Sequence, residues 1–121
     1  MDYMVKQDKR YLNLKEKYMD GGELYRKYWE MGDARNIGRL VKYVQSKTGT
    51  KPTHMGVWKS MWRWASLKEN RDTAWEIYQK WNDDVTFEKW TVMMVERIRK
   101  AWQHPTDAKY NKFIKDNGWS S

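Results

Sequence analysis

Apolar residues recur every three or four positions along most of this chain, which is the spacing of one face of an α-helix. Helices are expected over residues 23–31, 34–48, 54–65, 71–81, 86–103 and 107–116. No segment shows the alternation of apolar and polar residues that predicts a strand. The pattern therefore predicts an all-α protein with five or six helices.

Polar residues and glycines between these segments predict where helices begin and end. Asp20-Gly21-Gly22 is expected to be a break, and Asp33 is expected to cap the second helix. Gly49 should close that helix in the left-handed conformation. After the turn that follows, Thr53 should cap the third helix. Near the end of the chain, Thr106 or Asp107 should cap the last helix.

The apolar stripes also predict the core. Most of the nine Trp residues fall on these stripes, so we expect them to supply core volume rather than surfaces for base stacking. Trp119 is expected to fold back onto the core, and Trp64 to pack on the helix over residues 71–81 or to stack on a base. The other residues expected to be buried in the third and fourth helices are Met55, Trp58, Met61, Trp62, Ala65, Trp75, Tyr78 and Trp81.

The net charge of +8 is distributed unevenly. Residues 1–65 carry 14 basic and 7 acidic groups, whereas residues 66–121 carry 10 basic and 9 acidic groups. No acidic residue lies between Asp33 and Glu69. A surface free of negative charge is what binding to a polyanion requires, so the composition favours a nucleic-acid partner.

Three helices in succession, the last two joined by a turn that contains glycine, match the order of a helix-turn-helix domain. In such domains the last helix enters the major groove of duplex DNA and the preceding helix crosses the phosphate backbone. The residues expected to face bases are Thr53, His54, Lys59, Ser60 and Arg63. The residues expected to contact phosphates are Arg35, Arg39, Lys42, Lys47 and Lys51.

The segment from Trp29 to Ile37, followed by the segment from Met55 to Ala65, resembles phage homeodomain-like proteins of the kind found in small terminase subunits. The resemblance covers about 45 residues and rests on pattern rather than on a diagnostic motif. It implies recognition of a viral genome and assembly into a ring. The turn over residues 47–51 is longer than is usual, which leaves the register of the third helix open.

Three regions follow from these assignments. Residues 1–22 are expected to be a charged arm, partly ordered; residues 23–66 to bind nucleic acid; and residues 67–121 to form a C-terminal helical region. The helix over residues 86–103 carries a heptad-like stripe. It could pack on the preceding helices, or it could support a homo-oligomer through Phe87, Trp90, Met94 and Ile98.

Enzyme chemistry is not indicated. The chain has no cysteine, its two histidines are far apart, and Asp83-Asp84 reads as a turn at a helix break. We expect no catalytic residue, no metal site, no cofactor and no small-molecule substrate. No stretch approaches the ~20 apolar residues of a membrane span, and the first residues lack the apolar core of a signal peptide. A cytoplasmic protein without a membrane partner is expected, in the host cytoplasm if the chain is viral.

Duplex DNA is thus the expected partner, and two other functions stay open. The basic face could dock an acidic protein, as in a virion component or a protein that binds a host factor. Exposed Trp residues could instead stack on the bases of single-stranded DNA or RNA.

Overall fold

The computed structural model of the protein describes residues 19–102 and 106–119. Six α-helices and no strand occur in these residues, which confirms the predicted all-α class. Short 3₁₀ turns at Gly32–Ala34 and Lys68–Asn70 precede the second and fourth helices. The helices are α1 (Gly21–Glu30), α2 (Ile37–Thr48), α3 (His54–Ser66), α4 (Arg71–Trp81), α5 (Phe87–Trp102) and α6 (Asp107–Asp116).

Helix α3 lies at the centre of the fold and packs against α1, α2, α4 and α5. Helices α1, α2 and α3 also pack pairwise against one another, so the expected trihelical unit is present. Helices α4 and α5 are packed on this unit. Helix α6 is joined to α5 by a 2.7 Å hydrogen bond from the Tyr110 hydroxyl to the Val95 carbonyl.

Aromatic rings fill the core. Trp29, Trp62 and Trp90 are nearly or fully buried, and Tyr25 contacts both Trp29 and Trp62 edge-on. Such edge contacts add to the free energy gained from burying large apolar rings. The Tyr25 hydroxyl donates to the Ala74 carbonyl at 3.0 Å and accepts from the Trp90 indole at 3.3 Å, so its polar atom is satisfied inside the core. The expectation that Trp residues mainly supply core volume is confirmed.

The predicted fold-back of Trp119 is also confirmed. Its side chain is buried, and its indole Nε1 donates to the Ser66 carbonyl at 2.7 Å. The Trp102 indole donates to the Ser66 hydroxyl at 2.8 Å. Ser66, at the end of α3, therefore accepts hydrogen bonds from two Trp residues: Trp102 at the end of α5 and Trp119, the last described residue.

Several helices begin or end at the residues predicted from the sequence. Thr53 Oγ1 accepts a 2.9 Å hydrogen bond from the Gly56 amide, and Thr106 Oγ1 accepts one of 3.2 Å from the Lys109 amide. Gly49 ends α2 with a φ of 75°, where a side chain would strain the backbone. Helix α4 has the predicted bounds.

Two predicted ends are wrong. Helix α1 begins at Gly21 rather than at Glu23, because Asp20 caps it through a 3.0 Å hydrogen bond from the Gly22 amide, so the two glycines lie in the helix and not in the break. Asp33 does not cap α2. It lies in the 3₁₀ turn, and Asn36 caps the helix by accepting a 2.8 Å hydrogen bond from the Arg39 amide. Arg35 has an extended backbone between the 3₁₀ turn and Asn36, so α2 begins at Ile37 rather than at Ala34.

Some apolar residues are less covered than expected. Met55 is 58% exposed and Trp81 is 40% exposed, while Trp58 and Trp75 are only partly buried. Val57 takes the place expected for Met55 in the core.

Candidate nucleic-acid interface

The first turn of α3 is turned outward. Thr53, His54 and Met55 are exposed, whereas Val57 and Met61 anchor the helix in the core. The Thr53 side chain caps the helix and fixes the direction in which this turn leaves the fold. Three consecutive side chains with a hydroxyl, an imidazole and a thioether are thereby available to a partner.

The start of α2 lies beside this turn. A Cβ atom placed on Gly38 would be 3.6 Å from Nε2 of His54. Ile37, the first residue of α2, lines the same cavity as His54 and Met55. The starts of α2 and α3, capped by Asn36 and Thr53, are therefore neighbours on the surface of the protein.

The connection between α2 and α3 is a return segment. Helix α2 has 12 residues and is about 18 Å long at 1.5 Å per residue, yet α3 begins near the first residues of α2. Residues 49–53 form this return segment, in which Pro52 is buried.

Helix α2 carries exposed cations. Arg39 and Lys42 lie on the face away from the buried Leu40, Val41 and Val44. Lys47, at the end of the helix, and Lys51, in the return segment, are exposed as well. Within residues 19–102 and 106–119, none of these four cations forms an ion pair. They therefore have no carboxylate partner within these ranges.

A half-buried tyrosine supports this basic face. The Nζ atoms of Lys27 and Lys47 lie 4.6 Å and 5.9 Å from the centre of the Tyr43 ring. Such cation–π contacts hold the ammonium groups near the surface without neutralising them. Lys27 also lies 3.8 Å from the Glu30 carboxylate, so it is not as free as the cations of α2.

Arg35 is placed differently from the expectation. Its guanidinium donates a 2.8 Å hydrogen bond to the Gly32 carbonyl and lies 4.9 Å from the centre of the Trp29 ring. The side chain is partly buried. Arg35 thus holds the 3₁₀ turn against α1, and only part of it faces solvent.

The remaining expected base readers are partly covered. Lys59, Ser60 and Arg63 line a cavity of about 320 Å³ between the start of α1, α3 and the end of α5. The Arg63 Nε donates a 3.0 Å hydrogen bond to the Ala101 carbonyl, and the guanidinium lies 4.9 Å from the Trp102 ring centre. Burial lowers the pKa of Arg63 from its ordinary value. These three residues were expected on an exposed face of α3, and they are instead partly buried, because residues at the start of α1 and the end of α5 lie beside them.

Trp64 packs against α1 rather than against α4. A Cβ atom on Gly22 would lie 2.8 Å from Trp64 Cε2, and one on Gly21 would lie 2.6 Å from Trp64 Cβ. The rings of Trp64 and Tyr25 are 5.8 Å apart. Glycine at these two positions is what lets α1 approach α3, which overturns the expected packing of Trp64 on residues 71–81.

One member of the site was missed from the sequence. Lys100, near the end of α5, lines the cavity that Ile37, His54, Met55 and Trp58 also line. Lys100 is 46 positions after His54, and no local pattern links the two. In the sequence, the favourable interaction of a lysine with the C-terminal end of the helix dipole was reason enough for Lys100, so nothing marked it as part of a site.

The stripe on α5 belongs to the core. Trp90, Met94 and Ile98 are each 0% exposed within a single chain, while Phe87 is 39% exposed. Of the two alternatives for this stripe, packing on the preceding helices is the one observed. A homo-oligomer cannot use three of the four residues expected to support it without opening the fold.

No group of three or more His, Asp or Glu side chains in the described residues is arranged to hold a metal ion. No helix in those ranges is long and apolar enough to cross a membrane. His104 and the expected N-terminal arm, apart from residues 19–22, lie outside the described residues. Asp83 and Asp84 are exposed in the turn between α4 and α5.

No family model, curated protein or solved structure matches this chain.

Proposed function

We propose that this chain is a non-enzymatic protein that binds duplex DNA. The first turn of α3 would lie in the major groove, and α2 would follow the phosphate backbone. The observation that carries the proposal is the juxtaposition of two exposed helix starts, marked by the 3.6 Å approach of His54 to the Cβ position of Gly38. In helix-turn-helix proteins the start of the reading helix contacts base edges.

The exposed side chains of this turn suit the floor of the major groove. Thr53 and His54 offer hydrogen-bonding groups for base edges, and Met55 offers an apolar surface for a thymine methyl group. Lys59 lies one turn further along and is partly covered. The reading residues are therefore proposed at 53–55 rather than around Arg63.

Phosphate contacts are assigned to Arg39, Lys42, Lys47 and Lys51. Such contacts position the protein without specifying a sequence. The absence of acidic residues between Asp33 and Glu69 removes the repulsion that a carboxylate would exert on the backbone. The resemblance to phage homeodomain-like proteins implies the same class of partner.

Duplex DNA is favoured over single strands because of where the Trp residues lie. Four of them, Trp29, Trp62, Trp90 and Trp119, are buried and have no face for a base. A stacking platform needs successive exposed aromatic rings. The rings that keep exposed area include Trp58 on α3 and Trp81 on α4, which lie on different helices rather than in succession.

The test is fluorescence anisotropy of a labelled 20-base-pair duplex at increasing salt. Four phosphate contacts predict a slope of log K against log salt of about −3.6, so a fourfold increase in salt would weaken binding roughly 150-fold. Arg39→Glu combined with Lys42→Glu should lower the affinity at least tenfold, since it removes two contacts and adds two repulsions.

The matched control is Lys109→Glu combined with Lys112→Glu, which makes the same change in net charge at exposed positions of α6. This control should lose much less affinity. Equal losses in the two double variants would mean that only net charge matters and would overturn the assignment to α2. Binding that does not change with salt would contradict the proposal as a whole.

A further inference from the structure

A groove opens at the junction of α2, α3 and α5, directly beside the first turn of α3. Its volume is about 550 Å³, within the range of roughly 300–1,000 Å³ typical of sites for small organic groups. Its walls are Ile37, Met55 and Trp58, and its polar groups are His54 and Lys100. The groove therefore combines an apolar floor with a cationic rim.

The side chain that brings a full charge to the lining of this groove is a cation, Lys100. Lys100 is exposed and forms no ion pair within the described parts of the chain. One turn earlier on α5, the Arg97 guanidinium lies 5.1 Å from the centre of the Trp62 ring, and that ring is 6.3 Å from the ring of Trp58. No carboxylate lines the groove, so its occupant should be an anion with an apolar part.

We infer that this groove seats one nucleotide unit of the bound duplex, with its sugar against Trp58 and its phosphate against Lys100. The inference rests on the proposed function and extends it to a residue outside the trihelical unit. Deoxyribose presents carbon-bound hydrogens that an indole face covers well, and the adjoining phosphate requires a cation. His54 and Met55 belong both to the groove and to the reading turn, so a strand that follows α2 passes over it.

This inference gives α5 a role in binding that its packing does not require. Lys100 is exposed and forms no ion pair within the described residues, so its replacement should leave the fold intact. The interface would then bury parts of α2, α3 and α5 together. A trihelical unit cut away from α5 would lack one phosphate contact.

The first experiment compares the salt dependence of duplex binding for the full chain and Lys100→Gln. Loss of one phosphate contact should make the slope of log K against log salt shallower by about 0.9. Lys112→Gln, an exposed lysine on α6, serves as the matched control and should leave the slope unchanged. A Lys100→Gln slope equal to that of the parent would overturn the inference while leaving the proposed function standing.

The second experiment follows the Trp indole signals in ¹⁵N–¹H spectra of the full chain during titration with the duplex. The Trp58 signal, assigned through Trp58→Phe, should shift. The Trp119 signal should not, because that indole is buried and bonded to Ser66.

A Trp58 signal that stays in place with duplex but shifts with poly-glutamate would assign the groove to an acidic protein partner and overturn the inference. Failure of the parent to bind duplex in the first experiment would be a failure of the proposed function itself.

Discussion

The Nε atom of Arg63 lies 3.0 Å from the carbonyl oxygen of Ala101 and donates a hydrogen bond to it. Ala101 is in the last turn of α5, where carbonyl groups lack partners within the helix. Arg63, a residue of α3, thus caps a carbonyl group at the C-terminal end of α5 and links the two helices. A residue of the type and spacing expected to read bases is used to hold the fold together.

Replacing Arg63 should therefore reduce stability. Arg63→Met keeps the apolar stem over Trp102 but removes a hydrogen bond from a charged donor, so the free energy of unfolding should fall by about 1.5–3 kcal/mol. Urea denaturation followed by circular dichroism measures this change. Lys112→Met, at an exposed site, should change stability by no more than about 0.5 kcal/mol. If Arg63→Met kept its stability and lost DNA affinity, Arg63 would be a residue that contacts bases and not one that stabilises the fold.

Met94 offers a test of whether the α5 stripe is core or interface. Met94→Ala empties a fully buried position and should cost about 2–5 kcal/mol. Val92→Ala, on the same helix at a side chain that is 64% exposed, should cost little. The urea midpoint of each protein should be independent of protein concentration. A midpoint that rises with concentration, and loses that rise in Met94→Ala, would show that the stripe forms an interface.

Tyr25 should make stability fall at high pH. Burial raises the pKa of its phenol well above the ordinary value of about 10, so the folded state keeps a proton that the unfolded chain loses. The contribution is complete below pH 10 and declines as the pH rises further, by up to about 1.4 kcal/mol per pH unit. Burial also raises the pKa values of Tyr78 and Tyr110, in the same direction.

Denaturation at pH 8, 9.5, 10.5 and 11 measures this decline. Tyr25→Phe should be less stable at pH 8, because the Ala74 carbonyl and the Trp90 indole lose their partner. Above pH 10 its stability should fall less steeply than that of the parent. Parallel declines in the two proteins would show that Tyr25 does not govern this behaviour.

His54 and Lys42 should affect DNA binding in different ways. His54→Ala should weaken sequence preference, measured by selection from a random duplex library, because base contacts carry the sequence information. The same variant should keep the salt slope of the parent. Lys42→Ala should keep the sequence preference and reduce the slope by about 0.9. If both variants changed the sequence preference, or both changed the salt slope, the assignment of base contacts to His54 and phosphate contacts to Lys42 would be contradicted.

The sequence predicted the helices well because their signals are local. A cap such as Thr53 or a left-handed glycine such as Gly49 acts on its own backbone, and the apolar spacing of α4 gave both of its ends. The capping of α2 was predicted at the wrong residue because Asp33 and Asn36 are both good caps. The choice between them depends on the 3₁₀ turn, which Arg35 holds against Trp29.

The candidate site was only partly predictable. Periodicity places Arg63 and Trp64 on a face of α3, but it does not say that α1 and α5 cover that face. The close approach of α1 to α3 depends on Gly21 and Gly22. In the sequence alone, two adjacent glycines suggested a break between helices. Lys100 reaches the groove only through tertiary packing. Arg39 and Lys42 are exposed, which follows from their positions off the apolar stripe of α2.

The most direct test of duplex binding at the paired starts of α2 and α3 is a map of backbone amide shifts in ¹⁵N–¹H spectra during titration with a duplex. We expect the largest changes over residues 36–42 and 53–58, and little change in α6. Shifts that concentrate on α4 or α6, or a spectrum that does not change at twofold excess of duplex at low salt, would contradict the account.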